Sequence, residues 1–267
     1  MIELLQKAAR NAGEVLRNYF HKGVTVSHKA SFKDLLTEAD TESQKIIYRT
    51  LVNGMIKKGY RKEEIGFIGE EKLNVEGTHK FIIDPLDGTS NFEAGLEYFC
   101  ISIAYSQNNS VLSSLVFDPM RNIFYLSERS KGAYKIYNGK RELLKHRKKA
   151  FKNSLVITIL GNTPEIYERQ LEVHKKLHPN IIALRHLGAT ALDVSKCADN
   201  TFAFCINGGS SIWDIAAAKL IFEESGGIVT DWNGKRLQLA FNDSTQQYQF
   251  IACHPKLLPD VLLFFKD

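Results

Sequence analysis

The chain has 267 residues, enough for one large domain or two modest ones, with 44% apolar residues and a net charge of +5. No stretch approaches the roughly 20 apolar residues that span a bilayer. The N-terminal MIELLQKAARNAGEVL is broken by charges where a secretory signal keeps a long apolar core. The four cysteines (Cys100, Cys197, Cys205, Cys253) are scattered with no CxxC, and read as reduced core residues rather than disulfides or a zinc site. A cytoplasmic protein is expected.

In chain order, Leu4, Leu5, Ala8, Ala12, Val15, Leu16 and Tyr19 fall at helical spacing and predict an amphipathic helix over 2–19. A second helix is expected from TEAD, where Thr37 and Asp40 have the spacing of a capping box, to about Gly59. Short β-like runs follow: IGFIG, KFIID, FCISIAY, VLSSLVF, NIFYLS, and GAYKIY before the turn Asn138-Gly139. Their short connections suggest antiparallel pairing.

The basic run KRELLKHRKK, 140 to 149, reads as a solvated loop or helix face. It could meet an anionic protein or nucleic-acid partner, but no interleaved aromatics suggest base stacking. Beyond it strands and helices alternate: SLVITIL, a helix from about Pro164, IIALRHL, the helix GATALDVSKCAD and the strand FAFCI. The helix SIWDIAAAKLIFEESGG, a turn at Asn233-Gly234, the strand QFIAC and a helix from Pro255 complete the chain. This predicts a mixed α+β half, 1–145, followed by an α/β half, 146–267.

Chemistry concentrates in FIIDPLDGTSNF, 81 to 92. Pro85 removes a backbone donor, so the strand FIID is expected to stop at Asp84. Gly88 permits a tight turn, and Thr89-Ser90-Asn91 favours a helix start. Asp84, the Leu86 carbonyl and Asp87 can then converge as hard oxygen ligands, which suit Mg²⁺ better than Zn²⁺. The N–H groups of Gly88 and Thr89, with the positive end of a helix dipole, would form a phosphate seat. The plain alternative for DPLDGT alone is an Asp-rich capped turn. Glu70 of GEE follows a strand and could reach the same sheet end, while Glu71 is expected to face solvent. Asp214 follows Trp213 in the first turn of an apolar helix, where a helix-dipole role is the simpler reading. Asp40 near a helix start reads most simply as a cap.

GEE, DPLDGTSNF and WDIAAAKLIFEESGG, with RHLGATALDV between them, together resemble the inositol monophosphatase family over essentially the whole chain. The resemblance implies a five-layered αβαβα sandwich and a lithium-sensitive, Mg²⁺-dependent phosphatase that acts as a homodimer. It implies two or three Mg²⁺ ions, with Mn²⁺ able to substitute. Glu70, Asp84 and the Leu86 carbonyl would hold the first, Asp84, Asp87 and Asp214 the second, and Glu70 a third. Thr89 and Asp40 would orient and deprotonate the attacking water, with Glu70 at the same centre. Gly88 and Thr89 would hold the phosphate, and Asp87, Gly188, Ala189, Thr190 and Asp214 would meet the substrate. No cysteine or histidine is needed, and His186 is read as a polar or structural residue.

The expected substrate is a small phosphate monoester such as inositol monophosphate. Fructose 1,6-bisphosphate and adenosine bisphosphate are the alternatives on the same fold, and a regulatory binding protein is the non-enzymatic one. The family's inositol-specific members carry a glutamate seven residues before the last aspartate. Here that position is Asn207, expected to face substrate and to relax selectivity.

Overall fold

The computed structural model describes residues 1–22, 26–28, 35–70 and 72–266; Glu71 and its expected solvent-facing position lie outside them. Helix α1 (Ile2–Lys22) is followed by two paired antiparallel strands, β1 (Val26–His28) and β2 (Leu35–Thr37), and by α2 (Glu38–Lys57). Then come β3 (Ile65–Gly69), β4 (Leu73–Val75), β5 (His79–Asp87) and the short α3 (Thr89–Glu93). Strands β6 (Cys100–Gln107), β7 (Ser110–Asp118), β8 (Ile123–Glu128), β9 (Ala133–Tyr137) and β10 (Lys140–Leu143) continue the same sheet. Its order is β10-β9-β8-β7-β6-β5-β3-β4, antiparallel throughout except for the parallel pair β3–β5.

A second sheet is built from the remaining chain: β11 (Leu155–Ile159), α4 (Pro164–Leu177), β12 (Ala183–Arg185), α5 (Thr190–Ala198), β13 (Phe204–Asn207), α6 (Ile212–Glu224), β14 (Ile228–Thr230), β15 (Phe250–Cys253) and α7 (Leu258–Leu262). The order is β12-β11-β13-β15-β14, with β11 parallel to both its neighbours and β15 antiparallel to both of its own.

Layering follows from which helix faces are apolar. Helix α1 buries Leu5, Ala8, Ala12 and Leu16 on one stripe, and with Ile47 and Leu51 of α2 it covers the outer face of the first sheet against Phe81, Phe117 and Phe124. Helix α6 is apolar around most of its circumference, Asp214 and the Lys219–Glu223 ion pair apart, and it lies with α5 between the two sheets. Val173 and Leu177 of α4 and Val261 of α7 close the far face of the second sheet over Val156, Phe204 and Ile251. The sequence is therefore an αβαβα sandwich, as the resemblance implied. All four cysteines are buried and free. Among the described residues no helix is long and apolar enough to cross a membrane.

Three expectations are corrected. The strand does not end at Asp84: β5 continues through Pro85 to Asp87, with its pairing to β6 interrupted between Asp84 and Asp87 and resumed at Asp87–Cys100. Proline is tolerated because it sits in that irregularity, where no ladder donor is required. The start of the basic run is neither loop nor helix. Asn138 and Gly139 both have positive φ, which closes a tight hairpin and pairs Lys140–Leu143 with β9 as an edge strand. Charges on such an edge discourage further strand pairing. The last helix begins at Leu258, three residues after Pro255.

Candidate active site

The end of β5 and the start of α6 meet where β6 passes between them. Asp84 and Ser102 are partners in the β5–β6 ladder, and the Ser102 hydroxyl donates to the Trp213 carbonyl at 3.1 Å. That bond holds the first turn of α6 against the sheet end and sets Asp214 beside Asp84. The Asp84 and Asp214 carboxyls stand within hydrogen-bonding reach of each other. Asp214 also accepts from the Ser211 N–H at 2.8 Å, so a capping role and the place in the cluster belong to one side chain at the helix start, where the sequence suggested a dipole role.

Electrostatics confirm that these groups share one space. Burial, then the charges of Glu70, Asp87, Asp214 and Asp40, push the Asp84 carboxyl well above the usual carboxylate range. Burial and then Asp214 raise Asp87 to about 7, and burial raises Asp214 to about 6. Glu70 is exposed in the turn after β3, whereas Asp40 is buried in the first turn of α2. Four carboxylates, from the turn after β3, from β5 itself and from helices α2 and α6, thus act on Asp84, which costs free energy unless positive charge or protons are supplied. Among the described residues no three of them are drawn together as a finished metal cage. In kind, an all-oxygen, strongly acidic donor set fits a hard divalent cation such as Mg²⁺.

The turn between Asp84 and α3 is tightly specified. The Leu86 N–H donates to Asp84 Oδ1 at 2.9 Å, and the Thr89 hydroxyl donates to the Leu86 carbonyl at 3.0 Å. Gly88 has φ +97, and a Cβ there would lie 3.0 Å from the Tyr98 carbonyl oxygen, so only glycine fits. Helix α3 has five residues, too few for the strong N-terminal dipole expected from the sequence, and the turn amides themselves are the local positive feature. Asn91 donates to the carbonyls of Tyr98 at 2.8 Å and Leu187 at 2.7 Å, tying the turn to the segment before α5.

Asp87 points at the start of α5. Its Oδ1 accepts from the Thr190 N–H at 2.9 Å and its Oδ2 from the Ala191 N–H at 2.7 Å. Ala189 and Thr190 are buried, with the Thr190 hydroxyl 3.2 Å from that of Ser210, while Gly188 is exposed beside Asn91. Asn207 departs from its expected placement. Its side chain has no exposed surface; Oδ1 accepts from the Gly209 N–H at 2.7 Å and Nδ2 donates to Ser210 at 2.8 Å. Two glycines follow it, and the amide is spent in shaping that turn rather than facing a ligand. His186 is exposed, its ring nitrogen 2.8 Å from the Thr158 carbonyl, in keeping with a polar role.

Sequence reasoning missed Cys100 and Ser102, which reach Asp87 and Trp213. Both look like core positions of an apolar strand. The signal was the β5–β6 register, which an irregular connection of twelve residues, 88 to 99, conceals.

The model of the inositol monophosphatase family matches residues 1–261. The chain belongs to that family. It is 30% identical to the Nus factor SuhB of Xylella fastidiosa, over 96% of this chain and 90% of that protein. It is 31% identical to the fructose-1,6-bisphosphatase/inositol-1-monophosphatase of Thermotoga maritima, over 86% and 84%. In structure it is similar to the extragenic suppressor protein suhB of Bartonella henselae, with a TM-score of 0.86, 26% identity, and 100% and 98% of the two chains covered. These relatives thus carry both phosphatase and Nus-factor names, and the matches cover 84% to 98% of their lengths.

Proposed function

We propose that this member of the inositol monophosphatase family is a Mg²⁺-dependent phosphatase acting on small phosphate monoesters such as inositol monophosphate. The observation that carries the reading is the meeting of Asp84, Asp87 and Asp214 beside the Gly88-Thr89 turn. Glu70, Asp84, the Leu86 carbonyl, Asp87 and Asp214 are the residues that would hold Mg²⁺, with Mn²⁺ as a substitute. When bound, divalent cations supply the positive charge that offsets the phosphate and the developing charge of the displacement.

The chain's own groups do the positioning. The N–H groups of Gly88 and Thr89 bind phosphate oxygens. Thr89, its proton directed to the Leu86 carbonyl, keeps lone pairs that accept a hydrogen bond from water and orient it. Asp40 and Glu70 are the carboxylates assigned to take that water's proton. The water oxygen bonds to phosphorus as the ester P–O bond breaks on the opposite side, and the leaving oxygen takes a proton from water. Gly188 and the start of α5 border the substrate's hydroxyl-bearing part.

A second reading, a partner-binding protein on the same scaffold, is favoured by the exposed basic edge strand β10 together with the Nus-factor names of relatives. Phosphate release from inositol 1-phosphate, fructose 1,6-bisphosphate, adenosine 3′,5′-bisphosphate and histidinol phosphate separates the readings. Turnover of the first is expected. No Mg²⁺-dependent release from any of them would leave the binding protein.

A further inference from the structure

Asp87 is held by more than α5. The Cys100 thiol, fully buried on β6 and the ladder partner of Asp87, donates to Asp87 Oδ2 at 3.3 Å. An ionised carboxylate has about four lone-pair sites, two on each oxygen. Oδ2 spends both, on the Ala191 N–H and the Cys100 thiol, and Oδ1 spends one on the Thr190 N–H. One lone pair, on Oδ1, is left for an outside ligand.

We infer that Cys100 is a positioning residue that closes Oδ2 of Asp87 and so sets which cation the site prefers. This rests on the cation-site reading given above. A carboxylate limited to a single lone pair can bind a cation through one oxygen only. Mg²⁺ and Mn²⁺ accept such single-oxygen ligands in compact octahedral shells, whereas Ca²⁺ takes six to eight oxygens and favours carboxylates that offer both. Removing the thiol returns one lone pair to Oδ2 while the Thr190 and Ala191 N–H bonds stay, so that both oxygens can face a cation and the larger ion is admitted. The role belongs to the S–H donor, not to the volume of the side chain. Cysteine 100 would otherwise be filler in an apolar strand.

Two substitutions separate these roles. Cys100→Val keeps approximate size and removes the donor, while Cys100→Ser keeps a donor. Mn²⁺ binding is read directly from the electron paramagnetic resonance signal of the free ion, and Ca²⁺ binding from its displacement of Mn²⁺. For Cys100→Val the ratio of the Ca²⁺ to the Mn²⁺ dissociation constant should fall by up to about tenfold, the lower end for lost outer-shell partners because a thiol is a weak donor. Cys100→Ser should keep the wild-type ratio. An unchanged ratio in Cys100→Val, or an equal fall in both variants, would overturn the inference. Should Cys100→Val not fold, Cys100→Ala makes the same comparison, with thermal melts of each variant reporting packing separately. Wild-type protein that binds no Mn²⁺ would instead remove the cation-site reading, and this inference with it.

Discussion

Asp84 of β5 and Asp214 in the first turn of α6 stand within hydrogen-bonding reach of each other, so a strand of the first sheet and a helix of the middle layer bring two carboxyls together. Local backbone N–H groups hold each carboxyl, from Leu86 on Asp84 and from Ser211 on Asp214. The Ser102 hydroxyl, donating to the Trp213 carbonyl, ties the two elements together. Two carboxyls this close mark a place that binds positive charge, and its pH dependence has a definite sign.

The folded pKa values of Asp84, Asp87 and Asp214 lie above those of an unfolded chain, with Asp87 at about 7 and Asp214 at about 6. The native state therefore binds more protons than the unfolded state once pH exceeds the ordinary carboxylate value of about 3.9. The resulting stability is fully present below that value and is lost as pH rises through about 6 to 7. In chelator, the contribution of these groups to the melting temperature should fall across that window. Mg²⁺ should remove the fall, because a cation favours the ionised forms. Melts of wild type and Asp214→Asn at several pH values check this: the variant should show a shallower decline in chelator and a smaller response to Mg²⁺.

Asp84→Asn keeps the volume of the side chain and removes charge from the most crowded carboxylate. Turnover should drop nearly to background, while the metal-free variant at pH 7.5 should melt no lower than wild type. Circular dichroism and phosphate release on the same preparation decide it. A variant with wild-type turnover would take Asp84 out of the site.

Thr89→Ala removes a hydroxyl assigned to water and not to ground-state binding. It should depress kcat far more than KM, and Thr89→Ser should restore much of the loss. Equal changes in kcat and in kcat/KM with KM unchanged are the expected signature. A rise in KM alone would move Thr89 to substrate binding.

From sequence, Asn207 is expected to face substrate and relax selectivity, so that Asn207→Glu would narrow the substrate range. Its burial changes that outcome. A glutamate there would place an unpaired charge where the amide now donates to Ser210, costing roughly 3 kcal/mol or taking up a proton instead. The urea midpoint should fall substantially at pH 8, and the ratio of kcat/KM for fructose 1,6-bisphosphate to that for inositol 1-phosphate should stay the same.

What sequence disclosed and what it hid divide along local and tertiary lines. DPLDGT announces its turn because proline, glycine and threonine each impose a backbone choice, and IWDIAAAKLIF announces a core helix because Asp214 and Lys219 are its only polar side chains. Those two segments carry Asp84, Asp87 and Asp214. The continuation of β5 past Pro85 was hidden because it depends on which partner stands opposite, and the same register decides that Cys100 reaches Asp87. Asn207 was misplaced because its burial is set by packing around the two glycines that follow it. Strand β10 was hidden by its charge, since KREL has no alternation to mark a strand and pairs only because Asn138-Gly139 turns it back.

The most direct test is phosphate release from inositol 1-phosphate by wild type and Asp84→Asn, after exhaustive chelation and again after Mg²⁺ is restored. The site described here predicts no release in chelator, recovery with Mg²⁺ in wild type, and none in Asp84→Asn. Undiminished release in chelator, or equal recovery in the variant, would contradict it.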